Sequence, residues 1–254
     1  MEPTKSPGEV RLEIDRGIAA ITFSTPIHNA MPGVILASLA AAIDDAGAHP
    51  DVRVVILRSG GSRTFCAGAS FDELAAIRDE TAGRAFFMGF ARVIDACRRC
   101  PRLIIGRIQG KAIGGGVGLA AAVDYALASE HASIRLSELS IGIGPFVVGP
   151  AIQRKIGAAA FGHLAIDASN FKSASWAQEK GLFADVFSTE EGLEETVVSM
   201  AERIAAMNPD ATAAFKRLLW EGTDHWETLL PERAALSGRL ILSPEAQAAL
   251  QKYR

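Results

Sequence analysis

Apolar positions along the chain form short runs with the spacing of β-strands, separated by longer runs with the spacing of α-helices. Residues 10–14 and 18–23 predict a hairpin with residues 15–17 as its turn. Further strands are predicted over residues 52–58, 103–108, 125–128, 133–136 and 182–187. Helices are predicted over residues 32–47, 70–78, 84–99, 117–123, 150–156 and 158–165.

The pattern changes after Ser188, since helices alone are predicted from there onward. Ser70 with Glu73, and Ser188 with Glu191, have the spacing of capping boxes and mark two predicted helix starts. Two strands and a helix recur before this point. The pattern therefore predicts an α/β core over residues 1–188 and an all-helical C-terminal module over residues 189–254.

Composition places the 254-residue chain among ordinary globular proteins, with 49% apolar and 22% charged residues. The net charge of −3 argues against a polyanion-binding surface, so nucleic acid is not an expected partner. No apolar run reaches the roughly 18 residues that a membrane-spanning helix needs, and the N-terminal residues lack the apolar core of a secretory signal. No membrane association is expected, and the cytoplasm is the expected location.

The chain has three cysteines, Cys66, Cys97 and Cys100, a number that fits a reducing compartment better than a disulfide scaffold. Cys97 and Cys100 have the spacing of half a zinc site, but two further ligands at similar spacing do not follow. A structural role is therefore predicted for the pair, and no metal is expected.

Two segments contain small residues where a strand meets a helix. Gly68 allows a tight turn, and the amide of Ala69 lies near a helix start, where amides lack intrahelical partners. Gly114 begins a glycine triplet that exposes the amides and the positive dipole end of the next helix, which suits a phosphate or an oxyanion. The triplet does not fit the dinucleotide fingerprint, because Leu119 replaces its last glycine. Taken separately, each segment also fits an ordinary close-packed turn.

Glu138 follows a predicted strand and precedes the apolar residues 141–146. Such surroundings should raise the pKa of its carboxyl group, which suits proton transfer. Together with two amide-presenting turns, this glutamate suggests an oxyanion hole with an acid/base beside it. A solvated surface glutamate is the alternative.

In order and spacing, these segments resemble the crotonase superfamily, the enoyl-CoA hydratase/isomerase family. Residues 26–31 are similar to its P…N-A-L/M element, residues 64–69 to its F-C/A/S-A-G-A-D segment, and residues 109–116 to its N-G-x-A-x-G-G-G segment. Asp124 matches an aspartate after the glycine helix. The resemblance implies a crotonase-like core of repeated ββα units in a spiral with a C-terminal all-helical module. It also implies a coenzyme A thioester as substrate, no further cofactor, and a homotrimer or dimer of trimers built through the C-terminal helices.

Site residues follow from the resemblance position by position. The backbone amides of Ala69 and Gly115 would form the oxyanion hole, and Glu138 would be catalytic. The residues expected to bind coenzyme A or the acyl group are Ala67, Gly68, Gly114, Phe146 and Lys216.

The chain departs from the family pattern at the acid/base positions. Hydratases of the family use two glutamates; one matches Glu138, whereas the other falls on Gly118, where glycine is expected to leave empty space. Residues 136–146 also resemble the Δ3,Δ2-enoyl-CoA isomerase branch, which keeps the glutamate and a Pro-Phe pair after it. A single carboxylate favours double-bond isomerisation. The alternatives are a hydratase that uses one glutamate and a non-catalytic relative that binds coenzyme A or RNA.

Overall fold

The computed structural model describes residues 7–252, in which strands and helices alternate up to residue 187 and helices follow. The strands are β1 (Glu9–Asp15), β2 (Ile18–Ser24), β3 (Val54–Ser59), β4 (Thr64–Cys66), β5 (Leu103–Ile108), β6 (Lys111–Ile113), β7 (Tyr125–Ser129), β8 (Ser133–Arg135), β9 (Lys172–Ser173) and β10 (Asp185–Phe187). The α-helices are α1 (Gly33–Ala48), α2 (Phe71–Ala76), α3 (Glu80–Arg99), α4 (Gly115–Ala122), α5 (Gly149–Ile166), α6 (Ala174–Glu179), α7 (Glu190–Ala205), α8 (Pro209–Leu219), α9 (Trp226–Leu240) and α10 (Pro244–Gln251).

The strands form two sheets. The larger has the order β1-β2-β3-β5-β7-β10 and is parallel except for the β1–β2 hairpin. The smaller has the order β4-β6-β8-β9 and is parallel except for β8–β9. In β3, Val54 and Ile56 face helix α7, whereas Val55 and Leu57 face the main core. Residues 54–57 of this strand are all apolar, as expected where both faces of a strand are covered.

Most elements predicted from the apolar spacing are confirmed, including the hairpin, whose turn places Arg16 and Gly17 at φ 45° and 80°. The two helices predicted over residues 150–156 and 158–165 are confirmed, since Gly157, at φ 75° and ψ 164°, is not helical and divides α5 into two parts. Strands β6 and β9 and helix α6 were not predicted, because elements of two to six residues are too short to show a period.

Both predicted capping boxes need correction. Ser70 does cap α2, since its Oγ accepts from the amide of Glu73 at 3.4 Å. The carboxylate of Glu73 instead accepts from the amide of Gly33 at 2.8 Å, and so ties α2 to the start of α1. Helix α7 is capped by Thr189, whose Oγ1 accepts from the amide of residue 192 at 3.0 Å, and not by Ser188.

The C-terminal helices pack against the α/β core. Trp220, Trp226 and Leu230 are buried within the chain. Helix α9 crosses α3 where a β-carbon on Gly83 would lie 2.7 Å from the Cα of Gly238, so both positions require glycine. The division of the chain at residue 188 stays a prediction. Within residues 7–252, no helix combines the length and apolar character that crossing a bilayer requires.

Candidate active site

A cavity of about 250 Å³ lies where the start of α4 faces α3 and α9. Seven of the site residues assigned from the sequence line it: Ala67, Gly68, Ala69, Gly114, Gly115, Glu138 and Phe146. Three separate stretches of the chain contribute these residues. The fold therefore brings the two glycine segments and the glutamate to one place, as the sequence predicts.

The amide of Ala69 is directed away from the segment at Met31 that pairs with it. Met31 forms a parallel bridge with Ala69, in which the Met31 amide donates to Gly68 O at 2.8 Å and the Ser70 amide donates to Met31 O at 3.0 Å. The residue between two such bonds presents its own N–H on the opposite side. The Ala69 amide has no acceptor among residues 7–252.

The second segment lies directly against the first. Gly68 has φ 90°, and a β-carbon there would lie 2.9 Å from Ile113 O and 3.7 Å from Gly115 N. Gly114, at φ 52°, donates its amide to Arg135 O at 2.8 Å and is the N-cap residue of α4. Gly115 is the first residue of α4, and its amide has no acceptor in the described part of the chain. Two adjoining segments thus each offer one unpaired amide.

The carboxyl group of Glu138 is buried beside the glycine turn. A β-carbon on Gly114 would lie 3.1 Å from Glu138 Oε1, and Glu138 Oε2 is buried with no hydrogen-bond partner among residues 7–252. Burial raises the pKa of Glu138 to about 7, and its own backbone amide offsets only part of this rise. The acid and carboxylate forms are therefore both populated near neutral pH, as proton transfer in both directions requires.

The expectation that Gly118 leaves empty space is wrong. A β-carbon on Gly118 would lie 2.5 Å from Val148 Cγ1 and 2.7 Å from Val148 Cβ, and Gly118 does not line the cavity. Val148 lines the cavity itself. Among the cavity-lining residues in the described part of the chain, Glu138 is the only one with a carboxylate.

The placement of Lys216 corrects its assignment to coenzyme A. Its ammonium is buried outside the cavity, where it donates to Asp124 Oδ2 at 2.6 Å and to Arg102 O at 3.1 Å. Asp124 Oδ1 also accepts from the indole of Trp220 at 2.8 Å. A buried ion pair is strongly destabilised when one partner is lost, so Lys216 is held by Asp124. It therefore joins α8 to the core and does not contact the cavity.

Several lining residues were missed by the sequence analysis. Phe86, Phe87 and Phe90 project from α3 and give the cavity an apolar wall. Arg135 supplies a cation at the cavity, and its guanidinium carbon lies 4.6 Å from the ring centroid of Phe171. Ser237 lines the cavity from α9. The phenylalanines have helical spacing that indicates a buried face, whereas nothing in the sequence marks Ser237.

Known structures share this architecture. The chain superposes on the crystal structure of an enoyl-CoA hydratase from Bacillus halodurans with a TM-score of 0.88 and 22% sequence identity, covering 96% of this chain and 99% of that one. The fold is therefore the crotonase fold, as predicted. The sequence model of the enoyl-CoA hydratase/isomerase family matches residues 13–252, and the chain belongs to that family.

Relatives within the family are named for different reactions. The chain is 27% identical over 246 residues to a probable enoyl-CoA hydratase of Bacillus subtilis (strain 168), covering 96% of this chain and 95% of that protein. It is 29% identical over 235 residues to the peroxisomal Δ(3,5)-Δ(2,4)-dienoyl-CoA isomerase of Arabidopsis thaliana, covering 86% of this chain and 83% of that protein. The family is thus shared with proteins named for hydration and for isomerisation.

Proposed function

We propose that this protein binds a coenzyme A thioester, stabilises its enolate between the amides of Ala69 and Gly115, and moves one proton with Glu138. The favoured reaction converts a 3-enoyl thioester into the conjugated 2-enoyl thioester. The observation that carries the proposal is the buried Glu138 carboxyl, whose Oε2 is unpaired, beside Gly114 at the start of α4.

The two amides act on the thioester oxygen. Both would donate to it, and the negative charge that develops there would be stabilised more strongly than in water, because the site is largely apolar and its donors are already in place. Loss of one such donor typically costs about 10²–10³ in kcat. The C2 protons of the bound thioester become more acidic as a result.

Glu138 then carries the proton. Its carboxylate removes a proton from C2, and the electron pair of that bond extends over the thioester and the 3-ene as a dienolate. The carboxylic acid returns the proton at C4, which leaves the double bond between C2 and C3. No proton is gained or lost overall, so one group with a pKa near 7 is sufficient.

Hydration makes a different demand on the site. It requires deprotonation of a water molecule and protonation of C2, and hydratases of the family divide this work between two glutamates. Here the position of one of them is Gly118, against which the apolar side chain of Val148 packs. Hydration by Glu138 alone is the alternative, and the similarity to a probable enoyl-CoA hydratase supports testing it.

The test offers matched 2-enoyl and 3-enoyl coenzyme A thioesters to the wild-type protein. Absorbance of the conjugated enone rises with migration and falls with hydration, and mass spectrometry identifies added water. We expect migration to be the faster reaction. Efficient hydration without migration would overturn the favoured reaction, and failure to bind any coenzyme A thioester would overturn the proposal as a whole.

A homotrimer or dimer of trimers is also proposed, on the resemblance to the family alone. The structure changes one reason for expecting it, since Trp220 and Trp226 are buried within the chain. The exposed large apolar side chains of α8 are Phe215 and Leu218. Light scattering of the full chain that gives the mass of a monomer would contradict self-association.

A further inference from the structure

We propose that Ser237 recognises an oxygen atom on the part of the acyl group remote from the thioester, so that preferred substrates carry a keto or hydroxyl group there. This inference rests on the proposed function, because it places the acyl group in the cavity. It begins from one observation: Ser237 lines the cavity, and its Oγ is buried with no hydrogen-bond partner among residues 7–252.

An unpaired hydroxyl at this position is unusual. Serine within a helix commonly bonds to the carbonyl four residues earlier, which would satisfy the group locally. Ser237 makes no such bond, although only 1% of its surface is exposed. Burying a hydroxyl without a partner opposes folding, so a ligand that restores the hydrogen bond gains what the free protein lacks.

The surroundings of Ser237 make its hydroxyl selective. Leu74, Phe86, Phe87 and Ile143 line the same cavity and pack in one apolar cluster with Ile241. Ile241 directly follows α9 and lies four positions after Ser237. An alkyl chain would contact these side chains but would leave the hydroxyl unpaired. An acyl group with an oxygen at the right position would satisfy both.

Two contacts of helix α3 show how far Ser237 lies from Gly115, whose amide is proposed to bind the thioester oxygen. Phe90 packs against Gly115, since a β-carbon on Gly115 would overlap its ring. Gly83 of the same helix packs against Gly238, the neighbour of Ser237. Gly83 and Phe90 are seven positions apart, which corresponds to a rise of about 10 Å along an α-helix. Ser237 therefore faces the remote part of the acyl group and lies outside the proton-transfer chemistry.

The chemistry of a hydroxyl fits either oxygen function. Ser237 can donate to a ketone or accept from an alcohol. A site built to hydrogen-bond a polar group rejects an analogue that lacks it more strongly than an apolar pocket rejects an extra methylene, because the buried polar group is then left unpaired. The affinity for an acyl-CoA thioester should therefore depend on the position of the oxygen atom along the acyl chain.

The experiment measures binding by calorimetry, so it does not depend on which reaction the enzyme catalyses. The probes are saturated acyl-CoA thioesters of equal length: an all-methylene parent, a series in which a keto group is moved along the chain, and the alcohols matched to it. The proteins are the wild type, Ser237→Ala, and Ser140→Ala as a control whose exposed hydroxyl bonds to Ser137 O at 2.6 Å. We expect one remote oxygen position to bind wild type and Ser140→Ala at least about tenfold more tightly than the parent, and Ser237→Ala to lose this preference.

Each outcome bears on the inference. An equal preference in wild type and Ser237→Ala, or no preference at any position, would overturn it while leaving the proposed function intact. Failure of every thioester to bind would overturn both. Ser237→Ala should melt at the same temperature as wild type or higher, because it removes an unpaired buried hydroxyl. A clearly lower melting temperature would show that the hydroxyl serves the fold and would also overturn the inference.

Discussion

Val148 packs directly against Gly118, so that a β-carbon at residue 118 would lie 2.5 Å from Val148 Cγ1. By the resemblance of the sequence to hydratases of the family, Gly118 corresponds to the position of one of their two glutamates. An apolar side chain thus fills the space next to that position, and the cavity is left with Glu138 as its carboxylate among the described residues. This contact is the structural basis for favouring a reaction that needs one proton-transfer group.

The contact predicts a strong coupling between the two positions. Gly118→Ala should destabilise the protein by about 1–3 kcal/mol, because the stiff valine cannot move away without strain. Val148→Ala in the same chain should remove most of this loss. A double-mutant cycle by denaturant unfolding measures the coupling, and additive effects of the two substitutions would show that they do not touch.

The pH dependence of the rate follows from the raised pKa of Glu138. Proton removal from C2 requires the carboxylate, and the pKa is about 7 because of burial. We therefore expect kcat/KM to rise about tenfold per pH unit below pH 7 and to level off above it. A profile that is already level at pH 5 would show that Glu138 ionises normally.

The same raised pKa predicts that stability falls as pH rises, whereas kcat/KM rises with pH. Because the folded-state pKa of about 7 lies above the ordinary value of 4.5, the native state holds its proton to higher pH than the unfolded state does. The stability that this provides is present below pH 4.5 and is lost as pH rises through 7. The glutamine of Glu138→Gln stays neutral at every pH. The free energy of unfolding of this variant, relative to that of the wild type, should therefore rise by on the order of 3 kcal/mol between pH 4.5 and pH 8.5. Denaturant unfolding at both pH values checks this, and an unchanged difference between the two proteins would contradict it.

Substitution of Lys216 tests whether this residue stabilises the fold or binds the substrate. Lys216→Met should cost about 3–5 kcal/mol of stability, because it removes the cation that pairs with the buried side chain of Asp124. Asp124→Asn in the same chain should restore part of this loss. The KM for a coenzyme A thioester should not change in the variant. Unchanged stability together with a raised KM would instead return Lys216 to the substrate site.

How much could be predicted from the sequence depended on the range of the interactions. The two glycine segments at the cavity could be identified because Gly68 and Gly114 mark backbone conformations that other residues rarely adopt, at φ 90° and 52°. Lys216 and Asp124 lie 92 positions apart in the sequence, and no local pattern at either residue predicts that they pair.

The contact between Gly118 and Val148, and the unpaired hydroxyl of Ser237, were equally beyond the sequence. Both depend on how helices from distant parts of the chain are placed against one another. Periodicity identifies which face of a helix is buried, but it does not identify what that face meets. Short strands such as β6 were missed for a related reason, since pairing with β4 and β8 defines them more than their own residues do.

The central claim is that Glu138 alone transfers the proton, and the most direct test compares double-bond migration of a 3-enoyl thioester by three proteins. These are the wild type, Glu138→Gln, and Glu130→Gln as a matched control at an exposed glutamate. Glu138→Gln should lose a factor of about 10²–10⁴ in rate while binding coenzyme A nearly as well as wild type, and the control should keep its activity. If Glu138→Gln retains more than about half of the wild-type rate, another group moves the proton and the account is wrong.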